Sequence, residues 1–350
     1  MYDVILTFLT SFSLTYLAIP SIIYIAFKKN LVDSPNERSS HSRRTPSLGG
    51  IAIFAGTLFA IVFWLPFQYF DNLQYILAAF IIIFLIGVKD DIISISPRNK
   101  FLGELFATGI LVLKANVRLT SLYGFFGIYT MPEYLSILFS MFTILVIING
   151  FNLIDGINGL SASLGLLITA VFGIWFYLIG SIEFSILAFA LFGSLLAFLK
   201  FNITPAKIFM GDTGSLFIGL ICAILAIQFI EIQSHLTDSP YTFRSAPSVA
   251  IGILILPLFD TLRVFILRIL DGKSPFHPDR RHIHHTLIDA GFTHMQATSL
   301  LIAICIAFII LAVMLQNVGN LLLLIIILSI ATILSVTVSK FAQRGRSPFQ

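Results

Sequence analysis

Residues 149–160 read NGFNLIDGINGL, and they divide one long apolar run, 137–148, from another, 161–179, with groups that hydrocarbon rejects. Gly150, Gly156 and Gly159 weaken a helix, Asn149, Asn152 and Asn158 bring amides, and Asp155 brings a carboxylate. An Asp at the centre of a membrane helix costs roughly 3 kcal/mol on insertion scales, so this stretch is expected at a membrane surface. The other polar segments are placed by asking which of them reach that same surface.

Composition supports a membrane protein. With 57% hydrophobic residues, 11% charged residues and a mean hydropathy of +0.97, a soluble chain of 350 residues could not hide its apolar side chains. The net charge of +4 and pI near 9.1 fit a cytoplasmic excess of Lys and Arg, and nucleic-acid binding is not expected. Cys222 and Cys305 sit inside apolar runs and offer neither a disulfide framework nor a thiolate metal site. The first apolar run, 4–27, is too long for a signal-peptide core and has no basic residue before it, so it reads as a retained anchor.

Apolar runs of spanning length fall near 4–27, 48–66, 73–88, 101–114, 132–149, 160–179, 184–200, 212–231, 248–269, 297–316 and 319–338, which predicts an all-α, multi-spanning bundle of about 11 transmembrane helices. Basic residues alternate with these runs. Lys28, Lys29, Arg38, Arg43, Arg44, Lys89, Arg98, Lys100, Lys200, Lys207, Arg268, Lys273, Arg280, Arg281, Lys340, Arg344 and Arg346 share one side, while Lys114, Arg118 and Arg244 fall on the other. The N-terminus is therefore expected outside and the C-terminus in the cytoplasm, with cytoplasmic loops near 28–47, 89–100, 150–159, 201–211 and 270–296. No repeat or linker divides the chain, so 1–350 reads as one domain.

Every rich polar cluster falls in those loops: VDSPNERSSHSRRTPSLGG at 32–50, Asp90 and Asp91 followed by Lys100, the opening stretch, FMGDTGS at 209–215, and SPFHPDRRHIHH at 274–285. Carboxylates and an Asn from separate loops could hold a hard divalent cation such as Mg²⁺, which takes a few protein oxygens together with substrate phosphate. Glycines at helix starts offer N–H groups to phosphate, and Arg and His add positive charge. These groups suit phosphoryl transfer, in which positioning and charge neutralisation do most of the work. A secondary transporter is the rival from another class, but its site would lie near the bilayer midplane and be framed by repeats.

VDSPNER, GVKDD, NLIDGINGL, FMGDTGS and HPDRRHIHH occur in an order and spacing that resembles the polyprenyl-phosphate N-acetylhexosamine-1-phosphate transferases, over about residues 30–290. The HPDRRHIHH loop looks like the branch that uses GlcNAc rather than MurNAc-pentapeptide. The resemblance implies an enzyme of the bacterial inner membrane that moves a sugar 1-phosphate from a UDP-N-acetylhexosamine to undecaprenyl phosphate. UMP is released, with Mg²⁺ or Mn²⁺ as cofactor, and the site faces the cytoplasm. Another UDP-N-acetylhexosamine or UDP-MurNAc-pentapeptide is the alternative donor. Relatives of this kind can form dimers, so the resemblance admits a homodimer.

Residue by residue, Asp212 resembles the family's metal ligand, the other reading being an N-cap for the following helix. Asn152 matches a position that shares metal and pyrophosphate, or else a turn-forming Asn. Asp155 matches a family carboxylate, against an Asx turn. Asp90 and Asp91 match an aspartate pair open to three roles: metal ligand, general base or positioner of the acceptor phosphate, the last favoured for Asp90. Lys100 resembles a phosphate-binding lysine and Phe209 the aromatic that stacks on uracil. Arg280, Arg281, His282, His284 and His285 resemble a sugar and pyrophosphate loop; a zinc site is the rival reading for His at this spacing, but no Cys or carboxylate cluster completes a tetrahedral set. His41 and Arg44 have less defined places, and Asp260 with Arg263 reads as a local ion pair.

Overall fold

The computed structural model describes residues 2–32, 44–66, 68, 73–234, 236, 239–274 and 281–345. Among these the architecture is helical: α1 (Tyr2–Lys28), α2 (Gly49–Trp64), α3 (Leu73–Ile92), α4 (Pro97–Leu113), α5 (Glu133–Ile154), α6 (Leu160–Leu178), α7 (Ile182–Asn202), α8 (Gly211–Gln233), α9 (Ala246–Ile253), α10 (Ile255–Leu270), α11 (Ile283–Asp289), α12 (His294–Met314) and α13 (Asn320–Gly345). By length and composition seven of them can cross a membrane, or eight if the bent pair α9 and α10 is one span. The protein is thus multi-pass. An eleven-span count would also need α2, α3 and α4, of which α2 is a shorter apolar helix.

Three expectations are corrected. The loops placed at 89–100 and 150–159 are much shorter, because α3 runs through Ile92 and α5 through Ile154. A polar side chain ends a membrane helix only if it lacks partners, and these have them: Asn149 Nδ2 donates to Glu104 Oε2 at 2.8 Å and to the Leu145 carbonyl at 2.9 Å. The run at 248–269 is also not one helix. It bends by 82° between α9 and α10, where Pro257 in the first turn of α10 supplies no N–H and crowds the turn before it. Finally, the 270–296 loop contains α11, and α12 starts at His294 behind a capping box between Thr293 and Gln296.

Helix α8 is the axis of the bundle. It is apolar nearly all round, buries 18 of its 23 residues, and packs against α2, α3, α5, α6 and α7. Since lipid is as apolar as Leu, such packing depends on close approach rather than on expelling water, and small residues permit it. A Cβ on Gly219 would lie 2.7 Å from the Ile148 Cα of α5, and one on Gly87 of α3 would lie 2.7 Å from the Thr213 nitrogen. Phe217 adds edge-on contacts with Phe54 and Phe80, each 5.1 Å between ring centroids. These contacts bring the last turns of α3 and α5 beside the first turn of α8, at one end of the bundle. At the other end lie the Arg118–Glu133 pair and the bond from Thr120 N to Glu231.

Candidate active site

The site is built at the start of α8. Gly211 has φ +73°, a backbone state open to glycine at little cost, and turns the chain so that Asp212 enters the first helical turn. Asp212 does not cap its own helix. Asp91, from α3, does so: its Oδ1 accepts the Asp212 N–H at 2.7 Å, and its Oδ2 accepts the Thr213 N–H at 3.1 Å and the Thr213 hydroxyl at 2.5 Å. The Asp212 carboxylate is thereby left to other partners. Burial pushes the Asp91 carboxyl up to about 7 against the pull of those hydrogen bonds.

Lys100 stands between two carboxylates. Its Nζ lies 3.1 Å from Asp90 Oδ2 and pairs with Asp212 Oδ2. Burial would lower its pKa, but the charges and hydrogen bonds of Asp212 and Asp90 outweigh burial and raise it, so the ammonium stays charged. The turn that delivers Lys100 is held at both ends: Asp90 Oδ1 accepts the Ile95 N–H at 2.8 Å, and Ser96 caps α4 ahead of Pro97. From α5, Asn152 Nδ2 donates to Asp212 Oδ1 at 3.0 Å and to Ser215 Oγ at 3.1 Å. Asn152 therefore orients Asp212 through its nitrogen and is a helical residue, so the turn-forming alternative falls away.

Asp155 follows α5 directly. Burial raises its carboxyl well above the ordinary range, and the negative charges of Asp212 and Asp91 add to the effect. The segment after it is fixed by α7 and α12: Gly159 N–H donates to Asn202 Oδ1 at 2.7 Å, and Thr298 Oγ1 donates to the Asn158 carbonyl at 3.0 Å.

The histidines form a second wall. His284 is 1% exposed and lies against Gly156, so close that a Cβ there would overlap its imidazole. Its ring is 4.2 Å from that of His285 and 5.8 Å from that of His282, centroid to centroid. His282 Nδ1 is 2.9 Å from Asp260 Oδ2. Arg281 turns its guanidinium to Asp271. Arg280 and His41 lie outside the described residues, and Arg44 is exposed. Phe209 is half-buried just before the Met210–Gly211 turn, where its N–H donates to the Pro46 carbonyl at 2.7 Å and its own carbonyl accepts the Gly49 N–H at 3.0 Å.

Two contributors escaped the sequence motifs. Glu104, 1% exposed, receives the Asn149 amide one turn beyond Lys100 on α4. A lone Glu in an apolar run was its visible signal. Asp260 does pair with Arg263, at 3.5 Å, but it also holds the histidine segment; its partner lies 22 residues away, beyond the reach of any local pattern.

A multi-pass helical bundle with paired carboxylates, a charged lysine and a histidine wall at one end defines a membrane-embedded enzyme with a surface-facing polar site. The family model described as glycosyl transferase family 4 matches residues 73–230, from α3 almost to the end of α8. A Yersinia pestis undecaprenyl-phosphate alpha-N-acetylglucosaminyl 1-phosphate transferase is 31% identical over 78% of this chain and 73% of its own length. A probable undecaprenyl-phosphate N-acetylglucosaminyl 1-phosphate transferase of Bacillus subtilis is 31% identical over 91% of this chain and 86% of its own. A Mycobacterium leprae decaprenyl-phosphate N-acetylglucosaminephosphotransferase is 31% identical over 84% and 79%. The chain belongs to glycosyl transferase family 4.

Proposed function

We propose that the protein transfers N-acetylglucosamine 1-phosphate from UDP-GlcNAc to undecaprenyl phosphate, releasing UMP. The observation that carries this reading is Lys100 held between Asp90 and Asp212, a charged group placed to exchange carboxylate partners for phosphate. The names of the relatives supply the sugar phosphate and the polyprenyl acceptor. An oxygen of the lipid phosphate attacks the sugar-bearing phosphorus of the donor, a new P–O–P bridge forms, and the bridge to the uridine phosphate breaks. A phosphate monoester has its second pKa near roughly 6, so the acceptor is already largely dianionic at neutral pH and needs little help from a base. Lys100 then positions it, with Asp90 acting through the cation it shares with Asp212; the segment carrying Arg281, His282, His284 and His285 serves the donor, and Phe209 offers a ring to uracil.

The donor set suits Mg²⁺. Asp90 and Asp212 already converge on one cation, the Lys100 ammonium. Two carboxylates with phosphate and water completing the shell is a pattern Mg²⁺ accepts. Asp212 and Asp90 would hold the ion, Asn152 would join them by turning its amide so that the carbonyl oxygen replaces the nitrogen now on Asp212, and the ion would neutralise charge on the pyrophosphate. The basic residues of the loops at this end favour a cytoplasmic face in the inner membrane, where a soluble nucleotide sugar meets the lipid.

The test is radiolabelled UDP-GlcNAc with purified protein and undecaprenyl phosphate. Label should pass to the organic phase with stoichiometric UMP, and added UMP should reverse it, since one diphosphate bond replaces another. Release of UDP would overturn the reading. Label moving only from another UDP-N-acetylhexosamine or from UDP-MurNAc-pentapeptide would correct the donor alone.

A further inference from the structure

Asp260 is 1% exposed on α10, and its carboxylate grips the histidine segment twice. Oδ2 lies 2.9 Å from His282 Nδ1, and Oδ1 accepts the Ile283 N–H at 3.1 Å. Arg263, one turn along α10, lies 3.5 Å from Oδ1, donates to the Arg281 carbonyl at 2.8 Å and reaches Ser339 of α13 at 3.2 Å. One acid and one base on the bent helix therefore fix the backbone on both sides of His282 as well as its ring. A carboxylate only accepts, so the ring proton facing it belongs on Nδ1, and in the neutral ring Nε2 is then the acceptor. Among the described residues Nε2 is buried and has no hydrogen-bond partner, a state that is costly for a polar atom. The ring lies in parallel, 13° between planes, with that of His284, which packs on the glycine next to Asp155.

We propose that Asp260 is a positioning residue for the transfer: through His282 it presents Nε2 as an acceptor for an O–H or amide N–H of the donor sugar. This rests on the proposed transferase reaction. Asp260→Asn can offer an N–H to Nδ1 and move the ring proton to Nε2, turning the acceptor into a donor, while Asp260→Ala removes the grip altogether.

The test is a double-mutant cycle with wild type, Asp260→Ala, His282→Ala and the double variant, together with Asp260→Asn, each purified and checked for a folded, monodisperse state. Asp260→Ala and Asp260→Asn should lower kcat/KM for the donor by roughly 10-fold or more, and the double variant should be no worse than His282→Ala. Losses that simply add, or wild-type kcat/KM in Asp260→Ala, would overturn the proposal. ¹⁵N-histidine spectra, with His282 assigned by His282→Gln, read the tautomer without any turnover. Protonated Nδ1 with bare Nε2 in the wild type, lost in Asp260→Asn, supports the proposal even where the assumed donor is wrong. Protonated Nε2 in the wild type, with or without a proton on Nδ1, defeats it even where UMP release is normal.

Discussion

Asp91 on α3 caps α8, accepting the backbone N–H of Asp212 and of Thr213 across 121 and 122 residues of chain. This contact links the acidic pair to the metal-candidate carboxylate and assigns Asp91 a positioning job beside Asp90. Asp91→Ala should leave two N–H groups and the Thr213 hydroxyl without their acceptor. Lost caps and unsatisfied buried donors each cost about 1–3 kcal/mol. The expected outcome is a lower thermal midpoint in detergent together with loss of most turnover, whereas Asp91→Asn, which keeps one acceptor oxygen, should melt between Ala and wild type. Equal melting of Asp91→Ala and wild type would remove the capping role.

Gly211 should tolerate no side chain. Its φ of +73° disfavours L residues, and a Cβ would lie 2.6 Å from both Asp91 carboxylate oxygens and overlap the Ser47 carbonyl. Gly211→Ala should therefore displace either Asp91 or the start of α8, with turnover falling by roughly 100-fold or more, about 2.7 kcal/mol in barrier. Gly291, also at positive φ but with open space around it, is the control: its Ala variant carries the backbone strain without the clash and should keep most activity. Similar activities in the two variants would show that the close approach at Gly211 is unimportant.

The helices were largely legible because hydropathy is a local property: each apolar run falls on a helix or on the α9–α10 pair. Their ends were less so. Asn149, Asn152, Asp90 and Asp91 look like loop residues until their partners Glu104, Asp212, Lys100 and Thr213 are in place, and those partners come from other helices. The site shows the same divide. Residue types in the motifs pointed to Asp90, Lys100, Asn152 and Asp212, which the fold gathers, but the direction of each hydrogen bond is a tertiary fact. That Asn152 faces Asp212 with its nitrogen, and that Asp260 serves His282, follows only from packing. The capping box at Thr293 and Gln296 is legible as T-x-x-Q, and the run expected to begin at 297 passed over it.

Sidedness can be checked with single cysteines. Arg98 is exposed in the turn before Lys100, at the site end, and Tyr129 is 71% exposed between α4 and α5 at the opposite end. The native Cys222 and Cys305 are buried and should label slowly. In intact cells a membrane-impermeant maleimide should modify Tyr129→Cys and leave Arg98→Cys protected until the membrane is opened, as the basic loops require. Labelling of Arg98→Cys from outside would invert the topology and separate the site from its nucleotide donor.

Lys100 lends itself to the most discriminating variant, because its ammonium balances Asp90 and Asp212 when no phosphate is present. In Lys100→Met those two carboxylates would lose their internal counter-charge while α4 keeps a side chain of similar length. Unit charges about 4 Å apart attract by about 4 kcal/mol at an effective dielectric of about 20, so even a fraction of that should appear when the ammonium is removed. Two effects of opposite sign are expected. Turnover should fall by roughly 100-fold or more, since a phosphate-positioning charge is gone, while Mn²⁺, followed by its electron spin resonance signal in substrate-free protein, should bind more tightly than to wild type. Asp212→Asn separates the causes: it should lose both turnover and Mn²⁺ affinity while remaining folded. A Lys100→Met protein that binds Mn²⁺ more weakly than wild type would mean that Lys100 supports the ion's site rather than competing for it, and the two carboxylates would then not be the cation ligands proposed.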